Sequence, residues 1–286
     1  MKRMVALLTA LLAAASALTG CSAAVHQGPT VVASFYPLQF VAQRIVGDHD
    51  RVLGLTAPGV EPHDLELTVR QTAELSAATA VIYERSLQPS VDQAVADNGP
   101  AHVLDTTSVV PLREGDPHFW QEPTLLARVA RAFTRTMSRA QPEHAADFRA
   151  NDARLQRDLR RLDADFRRGL AHCRTRTLVV SHDAFEYLGR RYHLDIASIA
   201  GLTPDAEPSP QHLQEISQLV RSRGITTVFN ERLASPQLVD ALSADLGVRT
   251  AVLDTLEGLT SSDPRADYLT IMRANLAAIR KADSCS

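Results

Sequence analysis

Between Pro142 and Gly169 the chain runs without a glycine or proline, and its apolar residues fall at Phe148, Leu155, Leu159, Leu162, Phe166 and Leu170. Those spacings keep all six on one stripe of a helix. Arg161 with Asp165 and Asp163 with Arg167 stand four apart on the opposite face, where such pairs add a few tenths of a kcal/mol each, roughly. The pattern predicts one helix over 142–171, roughly 45 Å long at about 1.5 Å per residue. A rod of that length runs beside two domains rather than inside one. Whatever else the chain forms must flank it.

The first residues are an address. Lys2 and Arg3 precede an apolar run from Val5 to Leu18 that is too short to span a bilayer and ends in Leu18-Thr19-Gly20-Cys21. The run resembles a bacterial lipobox. Residues 1–20 are then expected to be a lipoprotein signal peptide, Cys21 the lipidated first residue, and 21–29 a polar tether to the extracytoplasmic face of the cell membrane.

About 265 residues remain, enough for one large or two ordinary domains, and the 45% apolar fraction supplies real cores. The formal charge of -3 and the absence of basic clusters interleaved with aromatics point away from nucleic acid. With Cys21 lipidated, Cys173 and Cys285 are left in an exported protein, where disulfides persist, and they are expected to pair.

Both flanks of the predicted rod alternate strands with helices. In the first, strands are expected at 30–34, 51–55, 80–83 and 101–104, and in the second at 177–180, 195–199, 227–229 and 248–253, with helical patterns between them. Ser209-Pro210 and Ser235-Pro236 each place a capping serine before a first-turn proline, and a helix is expected to start at Ala184. Strand–helix alternation implies parallel sheets covered by helices, an α/β fold. The divisions expected are an N-terminal lobe 30–141, the linking helix 142–171 and a C-terminal lobe 172–286.

His63 follows the second strand, His118 the fourth, His182 the fifth and Asp254 the eighth. All four therefore sit at carboxyl ends of strands, the edge where open parallel sheets bind ligands, two in each half. Three imidazoles and a carboxylate form a four-coordinate set suited to zinc. Asp254 is the weaker member by pattern, because Asp after a strand commonly caps the next turn. Glu61, Asp116, Asp183, Glu231 and Glu257 lie near the same edges and are candidates to accept the imidazole N–H groups. His26, His49, His102, His144, His172, His193 and His212 are read as solvated or capping residues.

At these residues the chain resembles the zinc and manganese solute-binding receptors of bacterial ABC importers, the ZnuA/TroA type. The resemblance rests on Pro58-Gly59 to His63-Asp64, Asp116-Pro117-His118-Phe119-Trp120, His182-Asp183-Ala184-Phe185 with Tyr187, Glu207-Pro208-Ser209-Pro210, Phe229-Asn230-Glu231, and Leu253-Asp254 to Gly258-Leu259. It implies two lobes, each with a four-stranded parallel sheet, joined by one long helix, with metal held between them by His63, His118, His182 and Asp254. It further implies a monomeric receptor, not an enzyme, that hands metal to a permease and ATPase encoded as separate chains. His182, where manganese members typically place Glu, favours zinc. The long His- and Asp-rich loop of many zinc members is missing here, which leaves manganese or mixed specificity open, as it does a surface adhesin or metal chaperone on the same fold. His193 stands where such proteins often have Gly. A zinc hydrolase, with Glu61 or Glu257 as base, is the distant alternative, and no His-Glu-x-x-His run supports it.

Overall fold

The computed structural model describes residues 30–260 and 266–286. The expected signal peptide, Cys21 and the tether lie outside the described residues.

The first half forms β1 (Thr30–Ala33), α1 (Tyr36–Val46), β2 (Arg51–Gly54), α2 (Val69–Ser76), β3 (Ala80–Tyr83), α3 (Pro89–Asn98), β4 (Val103–Asp105) and α4 (Pro123–Ala140). The second forms β5 (Thr177–Val180), α6 (Glu186–Tyr192), β6 (Asp195–Ser198), α7 (Pro210–Arg223), β7 (Thr227–Asn230), α8 (Gln237–Leu246), β8 (Arg249–Val252) and α9 (Tyr268–Ala282). Between them lies α5 (Ala145–Gly169). The sheets run β2-β1-β3-β4 and β6-β5-β7-β8, neighbouring strands within each pair in parallel, and the two halves thus share one strand order.

Strand side chains alternate between two buried surfaces, as parallel strands covered on both faces require. Val31, Ala33, Ala80 and Ile82 of the first sheet and Leu178, Val180 and Phe229 of the second face one continuous apolar core. Val32 and Val81 face a separate cluster with Leu75 of α2 and Val91 of α3, and Val179 and Val228 face another with Val220 of α7 and Val239 of α8. The shared core is built from α1, α4, α5, α6 and α9. Each sheet is thus pinned to the same central helical layer.

The linking segment opens with a 3-10 turn, Pro142–His144, before α5 begins at Ala145. Phe148, Leu155, Leu159, Leu162 and Phe166 are buried in the shared core together with Leu170 just past the helix end. Its polar face is not uniformly solvated. Asp163 is buried and takes a two-point ion pair from Arg191 (2.9 and 3.0 Å) and a hydrogen bond from the Tyr192 hydroxyl (3.2 Å), tying the rod to α6. Asp163 and Arg167 do approach, at 3.6 Å, whereas Asp165 pairs with Arg168 at 2.6 Å instead of with Arg161.

Other boundaries depart from expectation for local reasons. The Ala184 amide donates to the His182 carbonyl in a tight turn (3.0 Å), which delays α6 to Glu186. Ser209 caps α7 by accepting from the His212 amide, but Pro236, already in helical conformation, replaces Ser235 as the cap of α8. His193 ends α6 in the left-handed region (φ 61°, ψ 47°), the conformation that makes glycine the common choice at such a position.

Cys173 and Cys285 are joined by a disulfide across 112 residues. The same junction is sewn by the amide of Ser286 to the His172 carbonyl (3.0 Å) and by the Thr175 hydroxyl to the Asp283 carboxylate (3.0 Å).

Candidate metal centre

The carboxyl edges of the two sheets face each other, and the loops leaving them bring His63, His118 and His182 together, with ring centroids 5.3 to 6.3 Å apart. Each ring is fixed by its own surroundings. The His118 Nδ1 lies 2.7 Å from Asp116 Oδ1, and that same oxygen accepts from the His118 amide (2.9 Å), so Asp116 holds both ring and backbone. The His182 Nδ1 lies 2.8 Å from Glu231 Oε1, which also accepts from the Ser181 hydroxyl. A carboxylate on Nδ1 keeps a proton there and aims Nε2 into the cleft, where a metal displaces any second proton. His63 is placed by its loop: its amide donates to Glu61 Oε1 (3.1 Å), and the Gln88 side chain holds the Pro62 carbonyl (3.1 Å). Asp183 bonds none of the imidazoles; it lines a crevice beside Asp116 and Glu186.

The fourth group is Glu257, not Asp254. Glu257 is fully buried, and its Oε1 lies 2.9 Å from His118 Nε2, 3.3 Å from His182 Nε2 and 3.5 Å from His63 Nε2. Its Oε2 accepts from the Thr255 hydroxyl at 3.2 Å, which leaves Oε1 free to point inward. Asp254 is committed elsewhere: one oxygen accepts from the Leu256 amide (2.8 Å) and the other pairs with Arg232 (2.7 Å). Asn275 clamps the Asp254 backbone on both sides, at 2.9 and 2.7 Å. The turn so made puts Leu256, a bulky buried residue, at φ 60°. That is a strained conformation for a branched side chain, and it swings Glu257 into the cleft. The expectation for Asp254 is corrected on this geometry: it shapes the turn that presents the carboxylate. The turn-capping habit of Asp was the signal in the sequence that pointed this way.

The four converging atoms are poor partners for one another. The three Nε2 atoms and Glu257 Oε1 are buried and none has an aligned hydrogen bond. One ligand atom from each of the four residues lies within 4.8 Å of all the others. The spacings of Glu257 Oε1 from the three nitrogens bracket the edge of about 3.3 Å expected of a tetrahedron with bonds of about 2.0 to 2.1 Å. The electrostatics favour a cation. Burial resists charge on His182, yet Glu231 and Glu257 push its pKa up to about 10. His118 is raised in the same way by Asp116 and Glu257, and the three imidazoles hold Glu257 well below the usual carboxylate range against its burial. Burial and the charge of Glu257 push Glu61, at the rim, up to about 7.

Residues 31–282 match the family described as the zinc-uptake complex component A, periplasmic. The chain belongs to this family. Zinc-binding protein AdcA of Streptococcus pyogenes serotype M1 is 30% identical, the alignment taking 87% of this chain and 55% of AdcA. The chain therefore spans about half the length of the curated relatives it first matches. The high-affinity zinc uptake system protein ZnuA of Bacillus subtilis is 28% identical across 87% of this chain and 86% of its own length. Among solved structures, the Zn(II)-bound ZnuA-like domain of Streptococcus pneumoniae AdcA superposes with a TM-score of 0.78 at 29% identity, covering 90% of this chain and 99% of that one. The laminin-binding protein Lmb of Streptococcus agalactiae, described as a bifunctional protein with adhesin and metal transporting activity, gives 0.81 at 26% identity over 89% and 99% of the two chains.

Proposed function

We propose that this member of the zinc-uptake family captures a divalent transition metal, zinc above all, through His63, His118, His182 and Glu257, and hands it to an ABC permease and ATPase on separate chains. The observation that carries the reading is the set of three buried Nε2 atoms without aligned hydrogen bonds, gathered 2.9 to 3.5 Å from one buried carboxylate oxygen. Three nitrogens and one oxygen suit zinc better than manganese, which prefers oxygen-rich, six-coordinate sites. Four protein ligands leave no open position for the activated water that a zinc hydrolase needs. The parts serve as an N-terminal lobe, a linking helix and a C-terminal lobe, and lipid on Cys21 would keep the receptor near its permease at the extracytoplasmic face.

Loading requires limited motion. The Gly59 amide donates to the Leu259 carbonyl (2.7 Å), and the Trp120 and Gln121 side chains donate to the Thr255 carbonyl (2.8 and 2.6 Å), so the loop carrying Glu257 is docked on the first lobe. Because both sheets rest on one helical layer, that loop and the His63 loop are the movable cover, not the lobes as wholes. The test is zinc and manganese titration of the protein lacking its leader and Cys21, purified without chelator. One tightly held zinc, lost in His118→Ala, is expected. Tighter manganese would move the assignment to that metal, and no metal at all would overturn it.

A further inference from the structure

A second group of ligating side chains sits at the other end of the first sheet. His49 lies in the turn entering β2, hence at the amino edge of the strands, and His144 and Asp147 lie where the linking segment becomes α5. The two imidazoles stack at 4.0 Å with 24° between their planes, and both abut the Phe148 ring edge-on (5.8 and 6.1 Å). His49 Nε2 is 3.1 Å from Asp147 Oδ2, and one ligand atom from each of the three residues lies within 4.8 Å of the others.

An independent observation lies beside them. Asp50, next to His49, is only 8% exposed. Its Oδ1 accepts from the Gln141 side chain (3.0 Å), but its Oδ2 is buried with no hydrogen-bond partner, as is Gln141 Oε1. A buried acceptor left without a partner is costly, and it calls for a donor or a cation.

We propose that His49, His144 and Asp147 form a second, shallow site for a divalent transition metal of zinc's class, with Asp50 behind it. Two imidazoles and a carboxylate are a borderline donor set that favours zinc over calcium or magnesium. Asp147 is largely exposed, so the fourth position opens to solvent, while the buried carboxylate of Asp50 adds negative charge next to His49 in the chain. An ion here would clip the turn before β2 to the first turn of α5.

The site is independent of the inter-lobe cluster, and the experiment keeps the two apart. Protein carrying His118→Ala and Glu257→Gln is titrated with zinc by equilibrium dialysis, with cobalt absorption as a second readout. It is expected to retain one zinc equivalent, whose affinity falls roughly tenfold or more when His144→Ala or Asp147→Asn is added. The metal-free Tm of each variant is measured beside its affinity, and Asp147→Asn, which keeps the side chain's shape, separates lost ligands from lost fold. Retained zinc that is indifferent to both changes would overturn the proposal, as would no zinc binding by the doubly altered protein at millimolar metal. Loss of tight binding from the inter-lobe cluster with the second site intact would bear on the receptor reading alone.

Discussion

At the scale of single residues, the site depends on which of two neighbouring carboxylates reaches the cleft. Glu257→Gln keeps the shape of the side chain but removes an anionic ligand, and zinc affinity is expected to fall roughly 100-fold or more. Asp254→Asn keeps a turn-capping oxygen while losing charge toward Arg232, so a loss of about tenfold is expected, accompanied by a lower metal-free Tm. Equal effects of the two changes in a competition titration would contradict their different roles. Protons compete for the same nitrogens. Because the metal-free His182 holds its proton up to about 10, zinc must displace at least one proton at any pH below that. Affinity is then expected to drop about tenfold per pH unit, or about 100-fold from pH 7.5 to 5.5. The stability of the metal-free fold runs the other way: the raised His182 contributes fully below about 6.5 and is lost as pH rises through about 10, while the depressed Glu257 contributes above about 4.3 and is lost in acid. Thermal melts across pH check both signs. The three histidines were legible in the sequence because the carboxyl edge of a parallel sheet is set by strand order alone. The carboxylate was not, because its direction depends on Leu256 adopting a left-handed conformation that no leucine advertises.

Among the elements, the linking helix was readable by its period and misread by its charges. The apolar stripe needs only the spacing of six residues, whereas the burial of Asp163 depends on Arg191 and Tyr192, which come from a helix that follows in the chain and packs on it. Phe166 stacks on Tyr192 at 4.9 Å inside the shared core, so Phe166→Ala is expected to cost about 3 to 5 kcal/mol in denaturant unfolding. At the end of α6 the sign reverses. His193 occupies a left-handed position at its intrinsic cost of about 1 to 2 kcal/mol, at the end of α6 away from His182. His193→Gly is expected to raise stability by about 1 kcal/mol without changing zinc affinity; destabilisation would show that the imidazole has a structural partner.

For the whole molecule, two sheets of identical strand order lean on one helical layer, and the loops leaving their strands meet at the candidate metal centre. The alternation of strand and helix made that architecture visible in the sequence. What it could not show is that the lobes share a core, since either face of a doubly buried strand is apolar. The disulfide belongs to this scale. Replacing Cys173 and Cys285 by Ala removes a 112-residue closure, worth at most about 4 to 5 kcal/mol by chain entropy, and a lower Tm is expected with zinc affinity retained. The bond also makes the second lobe a closed ring, from the end of the rod to the last residues of the chain. A protease cutting once anywhere between 174 and 284 leaves a single covalent molecule. His182 and Glu257 both lie inside that ring, so a chain nicked there does not shed the half of its site that the second lobe supplies.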